Sequence, residues 1–194
     1  FLTSLIWVPI GVGVGLNPRL ARIAQPVIQI AVAFPSNMFF PIFIVVFYKL
    51  GIDLSYGSVL LLAIGSQWYI LFNVIAGAMN ISSDLREAEK MLGLRGAIRW
   101  KRLIIPAILP FWVTGGITAA GGAWNASIVA EIVSYGDIGM SAPGLGSYMT
   151  EATVSGNWSG IIVSIVVMCL YVVTFNRLVW HRLYVYAEEK CKME

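Results

Sequence analysis

Residues Asp84–Pro110 have the sequence DLREAEKMLGLRGAIRWKRLIIPAILP, which is highly charged in its first two-thirds. Its first nineteen residues carry nine charged side chains, whereas the whole chain of 194 residues has 13 Lys or Arg and 10 Asp or Glu. Long apolar runs flank it on both sides. A charged group at mid-bilayer costs about 2.5–3.5 kcal/mol. We therefore predict that the charged stretch lies outside a membrane that the flanking runs cross.

The composition of the whole chain is typical of integral membrane proteins. Hydrophobic residues make up 58% of the chain and charged residues 12%, whereas soluble domains carry about 25% charged residues. The chain has one histidine, His181, and its two cysteines have no metal-ligand spacing. The glycine-rich run at residues 11–15 lacks the lysine of a phosphate-binding loop. We predict no catalytic, cofactor, metal or ATP site in this chain.

Five apolar runs are long enough, or nearly long enough, to cross a membrane, since a spanning helix needs about 20 residues. The runs cover residues 1–16, 26–48, 58–79, 103–133 and 158–180. The predicted fold is an all-α, polytopic transmembrane helical bundle, formed by a single transmembrane domain over residues 1–194. We expect a bend near Ser36 and Asn37, because they lie between Pro35 and Pro41.

The positions of the basic residues predict which way the chain faces. Twelve of the 13 Lys and Arg residues fall at 19–22, 86–102 and 177–192, which five spans place on one side. Cytoplasmic loops are enriched in Lys and Arg, so we predict that the loop at 80–104 and the C-terminus are cytoplasmic. The outer loop at 134–157 is rich in Gly, Ser and Pro, which favours a loop or a short surface helix. The net charge of +3 reflects this topology and does not indicate nucleic-acid binding.

The charged loop also has the pattern of short helices. Asp84 is a candidate helix cap, with Glu87 three residues later. An apolar edge follows, formed by Met91, Leu92 and Leu94. Gly93 interrupts the pattern before a second amphipathic stretch at 95–105. We predict two short helices joined near residues 93–96. Composition alone favours a solvated loop that carries ordinary cytoplasmic charge.

The spacing within this loop resembles the EAA loop of ABC-importer permeases. In that loop Glu-Ala-Ala is followed after three residues by Gly and, nine residues later, by a hydrophobic-x-hydrophobic-Pro sequence. Glu87 and Ala88 match, Glu89 replaces the second Ala, and Gly93 has the expected spacing. The pattern is completed by Leu103, Ile105 and Pro106.

The resemblance extends over residues 10–180 and is similar to the nitrate/sulfonate/taurine type of permease. The matching residues are Pro26, Pro35, Pro41, Gly51, Asn73, Gly77, Pro110, Gly115, Trp124, Glu131, Gly144 and Gly146. It implies a type I importer permease in a bacterial inner membrane, which forms half of a translocation pathway. The implied substrate is a small anion such as nitrate, a sulfonate or bicarbonate.

The resemblance also implies partners. In this family the loop forms coupling helices that dock on a cytoplasmic ATPase, so two ATPase subunits would bind ATP and Mg²⁺ in place of this chain. The implied coupling residues are Glu87, Ala88, Glu89, Met91, Leu92, Gly93, Leu94 and Pro106. Glu87 would face a basic group of the ATPase, and Glu89 would tune the choice of partner. A second permease half, membrane lipid and an extracytoplasmic substrate-binding protein complete the assembly.

Polar residues within the apolar runs are candidates for the translocation path, because polar groups in spans are costly and often functional. They are Asn37, Gln67, Asn73, Asn125, Ser127 and Glu131. For each of them, hydrogen bonding between helices is the alternative role. The alternative function is an ion-coupled secondary transporter or a channel, which should carry several charged residues at mid-membrane. This chain has almost none there.

Overall fold

The computed structural model describes residues 1–191, which form helices and one small β-hairpin. The α-helices are α1 (Leu2–Gly15), α2 (Pro18–Ala33), α3 (Phe40–Leu50), α4 (Leu54–Met79), α5 (Ser83–Met91), α6 (Gly96–Arg99), α7 (Ile105–Ala130), α8 (Leu145–Val154), α9 (Trp158–Phe175) and α10 (His181–Cys191). The strands are β1 (Ile132–Tyr135) and β2 (Ile138–Ser141). A 3₁₀ turn covers Ser36–Phe39, and π-helical turns cover Trp100–Ile104 and Asn176–Trp180. Lys192, part of the predicted cytoplasmic C-terminus, lies outside the described residues.

The predicted all-α membrane bundle is confirmed. Within the described residues, three helical segments are long and apolar enough to cross a membrane: Leu54–Met79, Gly96–Ala130 and Trp158–Glu189. A fourth candidate is the pair Pro18–Ala33 and Ser36–Leu50, and α1 is a shorter apolar helix. The described part of the chain thus has three candidate spans, or four with the pair, where the sequence predicts about five; α1, at the first predicted span, has only 14 residues.

The second predicted span, at residues 26–48, is not one straight helix. Helix α2 ends at Ala33, and a 3₁₀ turn begins at Ser36 before α3. Pro35 causes this break, because its ring removes a backbone donor and disfavours helical geometry at the preceding residue. The bend expected near Ser36 and Asn37 is therefore confirmed.

The described residues form two compact units, each assembled from separated segments. Unit 1 comprises Phe1–Ala33, Gln67–Ala119 and the chain from Arg177 onward, and unit 2 comprises Phe34–Ser66 and Ala120–Asn176. The buried core of unit 1 includes Val12, Ile70, Val74, Ala78, Ile104, Ile108 and Ala119. The buried core of unit 2 consists of Phe40, Ile44, Phe47, Leu54, Leu61, Ala130, Val133 and Ala142.

Close packing between α1 and α4 in unit 1 explains the glycine-rich run at residues 11–15. A Cβ atom on Gly11 would lie 2.8 Å from the Val74 side chain. A Cβ atom on Gly15 would lie 2.6 Å from Ala78 Cβ and 2.7 Å from the carbonyl oxygen of Ile75. Real Cβ contacts are longer than this, so only glycine lets the two helices approach so closely. The run is thus a helix-packing element, as small residues often are in membrane bundles.

The outer loop predicted at 134–157 contains a β-hairpin as well as the expected short helix. Strands β1 and β2 pair antiparallel, with Ile132 opposite Ser141 and Tyr135 opposite Ile138. The two-residue turn is Gly136–Asp137, and Gly136 has a φ of 58°. Two-residue hairpin turns need this left-handed geometry, which glycine adopts without strain.

Candidate functional site

The charged loop begins with a well-defined helix cap. The Ser82 hydroxyl oxygen accepts a hydrogen bond of 3.4 Å from the backbone N–H of Leu85, and the helix α5 starts at Ser83. The cap is therefore Ser82, two residues before the Asp84 that the sequence suggested. Asp84 lies in the first helical turn instead, where a negative charge is favourable beside the partial positive end of the helix dipole.

The turn after α5 depends on Gly93. The N–H of Gly93 donates to the Lys90 carbonyl at 3.2 Å, and the N–H of Leu94 donates to the Glu89 carbonyl at 3.1 Å. These two bonds form a Schellman motif, which places the residue after the cap in the left-handed region. Gly93 has a φ of 63°, and Gly96, where α6 begins, has a φ of 55°. The prediction of two helices joined near residues 93–96 is confirmed.

Two arginines fasten the loop to itself and to α4 within unit 1. An Arg86 guanidinium nitrogen, Nη2, donates a hydrogen bond of 3.2 Å to the Ala78 carbonyl in the last turn of α4. Arg99 Nε lies 2.6 Å from Glu89 Oε1, so an ion pair joins α5 to α6. The contact lacks the alignment of a hydrogen bond and is held by charge. The loop is therefore a braced structure rather than a solvated, open segment.

Glu89 has a different environment from the other acidic residue of the EAA-like sequence. Its side chain is 13% exposed and faces Arg99, which is 36% exposed. Glu87 and Ala88, by contrast, are exposed. Glu87 is thus the carboxylate of this pair that is available to a partner, while the charge of Glu89 is directed to a residue of its own loop.

Large apolar side chains protrude from the same loop. Met91 is 86% exposed, Leu92 is 73% exposed and Ile98 is 56% exposed. Leu94 and Pro106 are half-buried. We use the name loop face for Glu87, Ala88, Met91, Leu92 and Ile98. Ile98 was not among the predicted coupling residues, although its place in the short second helix beside Arg99 was visible in the sequence.

The polar residues predicted for the translocation path fall into two groups. Some are engaged in hydrogen bonds: Gln67 accepts from Trp7 Nε1 at 3.0 Å, Asn73 donates to the Tyr69 carbonyl at 2.8 Å, and Ser127 donates to the Trp124 carbonyl at 2.8 Å. Glu131 accepts from two backbone N–H groups of α8. The side chains of Asn37 and Asn125 are exposed. Gln67 and Asn73 belong to unit 1, and the others to unit 2.

Comparison with known families matches nearly the whole chain. Residues 7–184 match the family described as the binding-protein-dependent transport system inner membrane component. The chain belongs to this family. The resemblance predicted from the loop is thereby confirmed, and the chain is an integral membrane protein. Its relatives are transport permeases rather than enzymes.

Several curated relatives are named for the compounds that they transport. The chain is 24% identical to the nitrate import permease protein NrtB of Leptolyngbya laminosa, over 92% of this chain and 60% of that protein. It is 27% identical to the bicarbonate transport system permease protein CmpB of Synechococcus elongatus, over 85% of this chain and 56% of that protein. It is 24% identical to the taurine transport system permease protein TauC of Escherichia coli, over 69% of this chain and 47% of that protein. The chain thus spans about three-fifths or less of the length of these three relatives.

Proposed function

We propose that this chain is the membrane-spanning permease subunit of an ATP-driven importer, and that the loop face docks on a cytoplasmic ATPase. In this proposal the chain forms half of the translocation path and carries no catalytic chemistry. A second permease half, two ATPase subunits that hold ATP and Mg²⁺, and an extracytoplasmic substrate-binding protein complete the transporter. The loop at 80–104 and the C-terminus lie in the cytoplasm.

The observation that carries the proposal is the loop face itself. Met91, Leu92 and Ile98 project from a segment too charged to enter the bilayer, so lipid does not cover them. Exposed apolar side chains rimmed by charge are typical of protein-interaction surfaces. The hydrogen bond from Arg86 to α4 and the ion pair from Glu89 to α6 hold the loop rigid. Such rigidity is needed if movement of the ATPase is to be transmitted to the membrane-spanning helices.

The proposed energetics of docking follow from the kinds of side chain on the loop face. Burial of apolar side chains contributes about 25 cal/mol per Å² removed from water. The exposed Glu87 carboxylate adds a charge pair with a basic group on the ATPase, which mainly sets orientation and partner choice. We therefore expect Leu92 and Met91 to contribute most of the affinity and Glu87 most of the specificity.

The proposed substrate is a small anion such as nitrate, a sulfonate or bicarbonate. The names of the relatives NrtB, CmpB and TauC support this class. The six path candidates include no Lys or Arg that could pair with an anion. We therefore place most of the substrate selectivity in the substrate-binding protein.

The experiment that tests the proposal is co-purification of the ATPase with variants of the loop face. Glu87→Arg reverses the exposed charge, Leu92→Ser removes an exposed apolar group, and Gly93→Asp distorts the turn. Each should abolish or strongly reduce both ATPase co-purification and anion uptake while the chain still inserts in the membrane. Val154→Ser is the matched control for ATPase co-purification, because Val154 is 85% exposed but lies on α8, far along the chain from the loop.

Two results would contradict the proposal. One is full co-purification of the ATPase with the double variant Glu87→Arg, Leu92→Ser. The other is uptake by the wild-type chain without any ATPase, which would favour the alternative of an ion-coupled secondary transporter or a channel.

A further inference from the structure

Glu131 connects three elements of unit 2. It follows the last residue of α7, and its backbone carbonyl accepts a hydrogen bond of 2.8 Å from the N–H of Ala142, just after β2. Its side-chain oxygen Oε2 accepts bonds from the N–H groups of Gly146 at 2.6 Å and Ser147 at 3.1 Å. These two donors lie in the first turn of α8. One residue therefore joins the end of α7 to the hairpin and to the start of α8.

The glycines at the start of α8 make this arrangement possible. A Cβ atom on Gly144 would collide with the Glu131 carboxylate. A Cβ atom on Gly146 would lie 2.7 Å from Ile128 Cα and 2.8 Å from the Ser127 carbonyl oxygen. The first turn of α8 thus packs directly on the backbone of the last turn of α7. This contact joins two sequence features that play no part in the loop at 84–106, AWNASIVAEI at residues 123–132 and GLG at residues 144–146.

The far end of α8 is held by its connection to α9. The backbone N–H of Asn157 donates to the Ala152 carbonyl at 2.8 Å, and the Asn157 side chain accepts from the Gly160 N–H at 3.1 Å. Ala152 is buried, and a Cβ atom on Gly160 would lie 3.0 Å from it. The orientation of α8 is therefore fixed by the turn at one end and by Glu131 at the other.

The carboxylate suits this role electrostatically. Backbone N–H groups at a helix N-terminus carry a partial positive charge, and a carboxylate that accepts from two of them makes strong, charge-assisted bonds. The N-cap residue Gly144 has no side chain that could accept from the N–H groups of Gly146 and Ser147, so these donors are left for Glu131. The Glu131 side chain thereby accepts hydrogen bonds from two backbone N–H groups of the first turn, those of Gly146 and Ser147.

We propose that Glu131 is a positioning residue that holds α8 as part of the docking surface for the substrate-binding protein. The inference rests on the proposed function, which places residues 134–157 on the outer side. Exposed side chains of α8, among them Tyr148 at 46% and Val154 at 85%, would then contact the binding protein. Glu131 acts through the orientation of α8 and does not itself contact the binding protein or the substrate.

The test uses the complete transporter in proteoliposomes, with the purified substrate-binding protein of the same transport system and saturating substrate. Initial uptake is measured as the binding-protein concentration is raised. Loss of a helix-capping acceptor typically shifts an equilibrium about fivefold, so Glu131→Ala should raise the half-saturating concentration by about that factor. The rate at saturating binding protein should be largely retained. Glu131→Gln, which keeps one acceptor oxygen, should restore part of the affinity.

Asp53→Asn is the matched control, because Asp53 also accepts a backbone N–H at a helix start, that of Ser55 at 2.7 Å, in the same unit. It should leave the half-saturating concentration unchanged. A lower maximal uptake rate in Glu131→Ala with an unchanged half-saturating concentration of binding protein overturns the inference. If the alanine variant fails to assemble, the same two quantities are measured for Glu131→Gln and the same result overturns the inference. If uptake by the wild-type transporter does not depend on the binding-protein concentration, the proposed function is overturned, and this inference with it.

Discussion

Replacement of the partners in the Glu89–Arg99 ion pair should have unequal effects on stability. Glu89 is 13% exposed, so Arg99→Ala leaves a largely buried carboxylate without its partner. Arg99 is 36% exposed, so in Glu89→Ala its guanidinium group can turn to water. An unpaired buried charged group costs at least about 1–3 kcal/mol, whereas an exposed pair is worth about 0–1 kcal/mol. We expect Arg99→Ala to destabilise the protein by about 1–2 kcal/mol and Glu89→Ala by about 0.5 kcal/mol.

A double-mutant cycle isolates the interaction between these two side chains. The double variant Glu89→Ala, Arg99→Ala should be more stable than the sum of the single effects predicts, by about 1 kcal/mol. The assay is denaturant unfolding of the purified permease in detergent, with Glu87→Ala as a control that removes an exposed carboxylate from the same helix. Additive effects, or a larger loss in Glu89→Ala than in Arg99→Ala, would show that the ion pair does not stabilise the loop.

Gly15→Leu should destabilise the protein by about 1–3 kcal/mol through overpacking against α4, whereas Gly13→Leu should not, because nothing lies within 4 Å of a Cβ atom there; thermal unfolding in detergent distinguishes them. Gly93→Ala should cost about 1–2 kcal/mol in the same assay, because its φ of 63° disfavours a side chain. Asn125→Ala should lower the uptake rate in proteoliposomes without changing ATPase co-purification; equal uptake would exclude Asn125 from the path. Hydrogen bonds from the Ser55 side chain and backbone lower the pKa of Asp53 in the folded protein. The Asp53 carboxylate therefore stabilises the fold above its ordinary pKa, and this stabilisation is lost as the pH falls through the lower pKa of the folded state. Unfolding measured at a series of pH values should show that Asp53→Asn lacks this loss of stability.

The fold class and the helical loop could be predicted because they depend on local sequence. Charge density, apolar run length and the spacing from Glu87 through Gly93 to Pro106 are all properties of neighbouring residues. The exact helix boundaries are less accessible. Ser82 and Asp84 are both good capping residues, and the choice between them depends on which backbone N–H each oxygen can reach.

The hairpin could have been predicted from a weak signal. A Gly-Asp pair between short apolar segments is typical of a two-residue hairpin turn. The signal was masked by the surrounding Gly, Ser and Pro residues, which also favour an irregular loop. Burial of Val133 and Ala142 against α3 and α4 residues stabilises the strands, and this packing is not visible in the local sequence.

The contacts that give the site its geometry are tertiary and could not be predicted. Glu89 and Arg99 are ten positions apart, and only the Schellman turn at Gly93 brings them together. Glu131 was visible as a polar residue at the end of an apolar run. Its use as a cap for α8 depends on the path of the chain through the hairpin. Sequence therefore indicated which residues matter without indicating what each one contacts.

The most direct test that this loop docks on the ATPase is a photo-crosslinking experiment at Leu92. A photoreactive amino acid at this position, 73% exposed on the loop face, is activated in intact cells while the transporter is working. We expect a covalent adduct with the ATPase subunit, and no such adduct from the same group at Val154. An adduct with lipid or with an outer-side protein, or none with the ATPase while uptake continues, would contradict the assignment of this loop as the coupling element.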